Sequence, residues 1–236
     1  MQIGLDFGTT TTVVSVFDGA HVRLVPLDPS EPAPTIMRSV LLVSRSGEVM
    51  VGRTAIDHYT ASNVGRAIEY ARALGCRQLN CLAGIAPAGV EADKVHATLV
   101  ANLRFAAARL EEAGIRLLVE PINTFDIPGF YLNRTAQAIA LIEEVGSPNL
   151  WLQHDLYHMQ RMEGELANTI AKHLPKIAHM QIADTPGRHE PGSGEINYAW
   201  LFRFIDQLGY EGWIGCEYKP AAGTREGLGW IRALAG

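Results

Sequence analysis

HMQIADTPGRHEPGSGEINY, residues 179–198, is the stretch whose reading decides the fold. Its front end belongs to an apolar run, Ile177 to Ile182, of a length suited to a buried strand. A dozen residues then turn polar and rich in Gly and Pro, and Asn197 stands where a helix N-cap belongs. A buried strand that empties into a charged, turn-rich loop before a helix is the functional end of a βα unit. The loop is expected to be flexible, and it carries Arg188, His189 and Glu190.

Working outward, three other strand-like runs from Arg116 onward also end at an acidic residue: Arg116 to Glu120, Leu150 to His154 followed by Asp155, and Trp213 to Glu217. Helical faces lie between them. Ile68 to Leu74 closes at Gly75, and Leu79 to Leu82 follows as a strand. Leu99, Leu103, Ala107 and Leu110 line a helix ended by Gly114, and Asn133 to Val145 makes one ended by Gly146. Leu166, Ile170 and Leu174 form a further face. Leu201, Phe204, Ile205 and Leu208 line the last before Gly209. Strand and helix in alternation predict a parallel sheet with right-handed crossovers, here of five strands.

The first 60 residues read differently. Gln2 to Phe7, Thr11 to Phe17, Val22 to Pro26, Val40 to Ser44 and Val49 to Gly52 are β-branched runs, with Asp18-Gly19 and Ser46-Gly47 as turns. They predict an antiparallel meander over 1–65, set before an α/β segment over 66–236.

The composition sets outer bounds. The chain has 236 residues, 47% hydrophobic and 19% charged, with a formal net charge of -5. That gives no general attraction to nucleic acid or to an anionic membrane. No leader or spanning segment is read, since no apolar run approaches the ~18 residues a bilayer requires. Cys76, Cys81 and Cys216 are not spaced as a zinc site and are expected to be buried thiols in a reducing cytoplasm.

IGLDFGTTTTVVSVFDG and SVLLVSRSGEVMVGRTAID resemble the start of DnaK-type chaperones and the actin-like ATPase superfamily. The resemblance implies a phosphate-binding hairpin, with Asp6 near a metal and Gly8, Thr9 and Thr10 offering amides and hydroxyls to phosphate. The second phosphate loop and adenosine pocket of that family have no counterpart after residue 65, so the segment is expected to be inert as an ATPase.

From about Arg66 onward the chain resembles hydroxypyruvate isomerase, within the xylose-isomerase-like TIM-barrel superfamily. AIEYARALGC, LNCLAG, LLVEPIN, LWLQHDLYHMQ, the opening stretch and GCEYKP carry the resemblance, in the family's order. It implies an incomplete (β/α) barrel lacking its first three βα units. It implies metal ligands Glu120, Asp155, Gln181 and Glu217, all oxygen donors suited to Mg²⁺ or Mn²⁺. It further implies Glu120 and Glu217 as the acid–base pair, with His158 and Arg188 binding substrate. The reaction implied turns hydroxypyruvate into tartronate semialdehyde through an enediolate.

Other readings stand beside this one. The chain reads as a fusion of two unrelated fragments, so a non-catalytic chimera with a relic metal site is an alternative, and a nucleotide-binding fragment another. His154 and His179 fall within strands and are expected to be packed or hydrogen-bonded in the core, and His189 and Glu190 to serve loop solubility. An open five-stranded sheet would leave two unpaired edges and an exposed inner face, to be covered by the meander on one edge or by a second copy of the chain.

Overall fold

The structure, a computed structural model, describes residues 64–234 and five short strands within the first 63 residues; side chains are described from 67 to 233. The chain divides into two compact units, Met1–Tyr70 and Ala71–Gly236.

In the first unit β1 (Gln2–Phe7), β2 (Thr12–Phe17) and β3 (Val22–Leu24) form an antiparallel sheet in that order. β4 (Leu41–Val43) and β5 (Val49–Val51) form an antiparallel pair. The antiparallel pairings expected from the β-branched runs are present. The nucleotide expectation on Gly8, Thr9 and Thr10, and on the side chain of Asp6, lies outside the described residues.

Helix α1 (Val64–Leu74) leads into the second unit and stops at Gly75, which takes the left-handed conformation at φ 68°. Five parallel strands follow: β6 (Gln78–Cys81), β7 (Arg116–Val119), β8 (Leu150–Asp155), β9 (Ile177–Ile182) and β10 (Ile214–Cys216). They lie side by side in chain order, as a half-barrel. The intervening helices are α2 (Ala92–Glu112), α3 (Thr135–Val145), α4 (Leu156–Met162), α5 (Leu166–His173) and α6 (Tyr198–Gln207), with α7 (Trp230–Leu234) at the end. Among the described residues no helix is long and apolar enough to cross a membrane.

The two faces of this sheet differ in chemistry, and that difference positions the site. Successive side chains of a strand alternate between faces. One face carries Leu117, Val119, Leu150, Leu152, Ala178, Met180 and Ile182, all buried. Helix α2 packs on β7 and α3 on β8. Helix α2 brings Val100, Leu103, Ala107 and Leu110 to the core; Val100, rather than the expected Leu99, opens that stripe. A side chain such as Leu152, with no exposure, contributes about 1.5–3 kcal/mol through burial. The other face carries Asn80, Gln153, His179 and Gln181, with Asp155 at its upper rim. Parallel registers set Gln153 beside His179 and Asp155 beside Gln181.

Several expectations change in detail. Helix α4 follows Asp155 directly and was not read from the apolar pattern. Strand β10 is shorter than the expected Trp213 to Glu217, although the Trp213 carbonyl still accepts the Met180 amide of β9 at 3.2 Å. Cys76 and Cys216 are exposed rather than buried. Cys76 follows the glycine that ends α1, and Cys216 lies on an edge strand, so neither has a packed layer on both sides.

Candidate active site

Each acidic strand end reaches the mouth of the half-barrel by a different local device. Glu120 follows β7 immediately and is 1% exposed. Its Oε2 accepts hydrogen bonds from Asn80 Nδ2 (2.6 Å) and Gln153 Nε2 (2.9 Å). Asp155 ends β8 and caps α4: its Oδ1 accepts the Tyr157 and His158 amides at 2.8 and 3.1 Å. One oxygen is thereby committed to the helix N-terminus, as in any acidic N-cap, and Oδ2 is left for the mouth. Glu217 follows β10, where its amide donates to Ile182 O at 3.0 Å.

The structure brings Glu120, Asp155, His158 and Glu217 together, with one ligand atom from each lying within 4.8 Å of the others. Gln181 joins the group through Gln153, whose Nε2 donates to Gln181 Oε1 at 2.5 Å. Asn80, Glu120, Gln153 and Gln181 therefore form a polar ladder across four neighbouring strands. Burial pushes the Glu120 carboxyl well above its usual range, and the nearby Asp155 and Glu217 push it further; the Asn80 hydrogen bond and the Arg188 charge oppose them.

Arg188 lies in the opening loop at φ 56°, a left-handed position. Its Nη2 is 3.0 Å from Glu217 Oε2 and 4.0 Å from Asp155 Oδ2, and its guanidinium stands over the Tyr157 ring. The loop itself is held by a set of internal hydrogen bonds. Asp184, fully buried, accepts the amides of Thr185, Gly192 and Ile196. A Cβ at Gly194 would collide with Thr185 O, so the loop closes on itself only with glycine there. His189 meets Lys219 O at 2.7 Å and Glu190 accepts the Ala221 amide at 2.9 Å, so both tie the loop to the segment after β10. They do more than keep it soluble. At its far end Asn197 Oδ1 accepts the Trp200 amide and caps α6, as expected.

Six participants were not singled out in the sequence: Asn80, Asn123, Asp126, Gln153, Tyr157 and Arg161. Asp126 accepts from Tyr157 OH (2.9 Å) and pairs with Arg161. Burial would raise the Asp126 carboxyl, but hydrogen bonds from Asn123, Tyr157 and Arg161 hold it below its usual range. Gln153 had a usable signal, since it stands two residues before Asp155 and so shares its face. Asn80 and Asn123 had none beyond proximity to strand ends.

His154 behaves as a core residue, as expected, whereas His179 is half-buried on the polar face beside Gln153 and is not part of the core. His154 is fully buried on the apolar face, paired in register with Met180, and makes no hydrogen bond. Burial lowers its pKa to about 4.

A cation fits this donor set. Glu120 Oε1 and Asp155 Oδ2 are buried without hydrogen-bond partners, and three carboxylates face one another. Carboxylate and amide oxygens suit a hard ion.

Fold and site define a βα half-barrel with an acidic mouth at the carboxyl ends of its strands. Residues 55–234 match the family model described as xylose isomerase-like TIM barrel, and the chain belongs to that family. A hydroxypyruvate isomerase of Escherichia coli K12 is 58% identical over 168 residues, covering 71% of this chain and 65% of that protein. A 2-oxo-tetronate isomerase of Cupriavidus necator is 47% identical, over 73% of this chain and 66% of its own length. The chain thus spans about two thirds of these relatives. A solved structure titled AP endonuclease, family 2 from Brucella melitensis is 42% identical over 72% of this chain and 66% of that one, with a TM-score of 0.70. The family match begins at residue 55, ahead of the expected boundary at residue 66.

Proposed function

We propose that this chain acts as an isomerase on a small hydroxy-keto acid, converting hydroxypyruvate to tartronate semialdehyde with Mg²⁺ or Mn²⁺. The convergence of Glu120, Asp155 and Glu217 in a buried mouth carries the reading. The names of the two curated relatives, both isomerases of oxo acids, support its substrate class.

Glu120, Asp155, Gln181 and Glu217 would hold the cation, which when bound stabilises negative charge developing on the substrate's oxygens. The reaction moves a carbonyl between adjacent carbons. Glu217 takes a proton from the hydroxymethyl carbon, leaving an enediolate. Glu120, the second carboxyl of the pair, returns a proton to the neighbouring carbon. The hydroxyl proton passes from one substrate oxygen to the other, so the product is an isomer with no net gain or loss. Arg188 offers the substrate carboxylate a forked pair of N–H donors, and His158 a hydrogen bond to a substrate oxygen.

A second reading, a non-catalytic chimera whose metal site is a relic, is favoured by the sheet order. Within the second unit β6 and β10 are the outer strands of an open sheet.

A melt titrated with Mn²⁺, followed by an assay on hydroxypyruvate, separates the two. The isomerase reading expects a melting temperature that rises with Mn²⁺ and turnover that Glu217→Gln abolishes. A rise without turnover at high enzyme leaves the second reading. No rise and no turnover likewise leaves the second reading and sinks the isomerase one.

A further inference from the structure

His158 stands at the acidic mouth with one ring nitrogen near Asp155, so its chemistry there depends on which nitrogen carries the proton. Five contacts around Asn123 decide it. Asn123 Oδ1 accepts the amides of Phe125 and Asp126 at 3.1 and 2.8 Å, which fixes the oxygen end of the side chain toward its own loop. The other end, Nδ2, donates to Asp126 Oδ2 at 3.0 Å and stands 2.6 Å from His158 Nδ1. Turning the Asn123 amide over would set NH₂ against two backbone N–H groups and oxygen against a carboxylate. The Asn123 backbone amide also points at His158 Nδ1, at 3.4 Å. Two donors and no acceptor converge on that nitrogen, so it offers its lone pair.

A neutral imidazole with its lone pair at Nδ1 carries its proton at Nε2. Nε2 is the atom turned to the mouth. It is buried, makes no hydrogen bond, and lies 3.6 Å from Asp155 Oδ2, beyond hydrogen-bond range. The ring is fully buried between Asn123 and the mouth.

We infer that Asn123 is a positioning residue that locks His158 as the Nε2–H tautomer, making His158 a hydrogen-bond donor at the mouth rather than a cation ligand or a base. A metal-ligating imidazole presents a lone pair, and here the lone pair faces away. The donor role toward substrate rests on the isomerase reading above. The tautomer itself does not, because it follows from protein contacts alone.

The test is ¹⁵N NMR of the full chain labelled at histidine, with His158 assigned by through-bond correlation from its backbone amide. In metal-free protein Nδ1 should show the shift of an unprotonated nitrogen and Nε2 that of a protonated one. Saturating Mg²⁺ should leave the Nε2 proton in place while shifting signals near Asp155. In Asn123→Asp an acceptor replaces the donor, and Nδ1 should gain a proton. A protonated Nδ1 in the metal-free wild type overturns the inference, as does loss of the Nε2 proton on adding Mg²⁺. If Mg²⁺ moves no signal, the cation reading of the site fails, and the metal-free spectrum still decides the tautomer. Should Asn123→Asp not fold, the wild-type spectra decide it alone.

Discussion

Arg188 Nη2 lies 3.0 Å from Glu217 Oε2, and both side chains are mostly buried at the mouth of the half-barrel. The same nitrogen is 4.0 Å from Asp155 Oδ2, and Nη1 is 4.0 Å from Asp126 Oδ2. One guanidinium thus stands among three carboxylates, on a loop residue whose backbone accepts the Lys219 amide at 2.7 Å. The cation that helps keep the acidic mouth folded is a side chain of the protein itself.

Arg188→Met should therefore destabilise the metal-free protein by about 3–5 kcal/mol, in the range for stranding a buried partner charge. Urea unfolding with and without Mn²⁺ checks it. The loss should be smaller at saturating Mn²⁺, since a bound cation would offset the same repulsion. An equal loss in both conditions would mean that Arg188 acts through packing on Tyr157 alone.

Glu120 predicts a pH dependence of a particular sign. Its folded carboxyl is raised well above the ordinary value of 4.5 by burial and by Asp155 and Glu217. A folded state that holds a proton more tightly than the unfolded chain loses stability as pH rises above 4.5 toward the folded value. Glu120→Gln should remove that loss and unfold at higher urea at neutral pH, while abolishing hydroxypyruvate turnover. Unfolding midpoints of both proteins across pH 4 to 8, in metal-free buffer, are the measurement.

His154 contributes in the opposite sense. Burial lowers its pKa from 6.5 to about 4, so it is neutral in the fold. Its contribution to stability is fully present above 6.5 and is lost as pH falls toward 4, where the unfolded chain takes up the proton. The span corresponds to about 3 kcal/mol. His154→Leu fills a similar volume on the apolar face beside Met180 and should flatten the acid limb between these pH values. An unchanged acid limb would place the titration elsewhere.

Much of this fold was legible because one periodicity switch carries it. From Ala67 onward, apolar runs ended by Gly75, Gly114, Gly146 and Gly209 marked where each helix stops, and all four glycines take left-handed φ in the structure. The carboxylates were legible as strand ends, since a parallel sheet delivers its carboxyl ends to one side. Gln153 and Asn80 were not, because a polar residue inside a strand reads as a solvated face until the neighbouring strand is known. Helix α4 escaped for another reason: Leu156, Tyr157 and Met159 are buried together with His158, so its seven residues show no clean apolar stripe. The order of the loop around Arg188 rests on Asp184, a single buried carboxylate gathering three amides, which its position in a Gly- and Pro-rich run does not announce.

The ladder across the inner face yields the last prediction. A single Gln153 Nε2 holds both Glu120 Oε2 and Gln181 Oε1, so Gln153 sets the spacing between two proposed ligands from β7 and β9. Gln153→Met keeps the length of the side chain and removes the donor. Glu120 then retains only Asn80 on Oε2, and Gln181 loses its hold. The variant should be less stable by about 1–3 kcal/mol, the cost of stranding a buried acceptor, and its Mn²⁺-induced rise in melting temperature should shrink. Gln153→Glu separates donor loss from repulsion, because it puts a further carboxylate against Glu120. Its melting temperature in metal-free buffer should fall more than that of Gln153→Met at neutral pH and recover toward it as the buffer is acidified. If the two variants melt alike across that range, Glu120 is not in contact with residue 153 in solution.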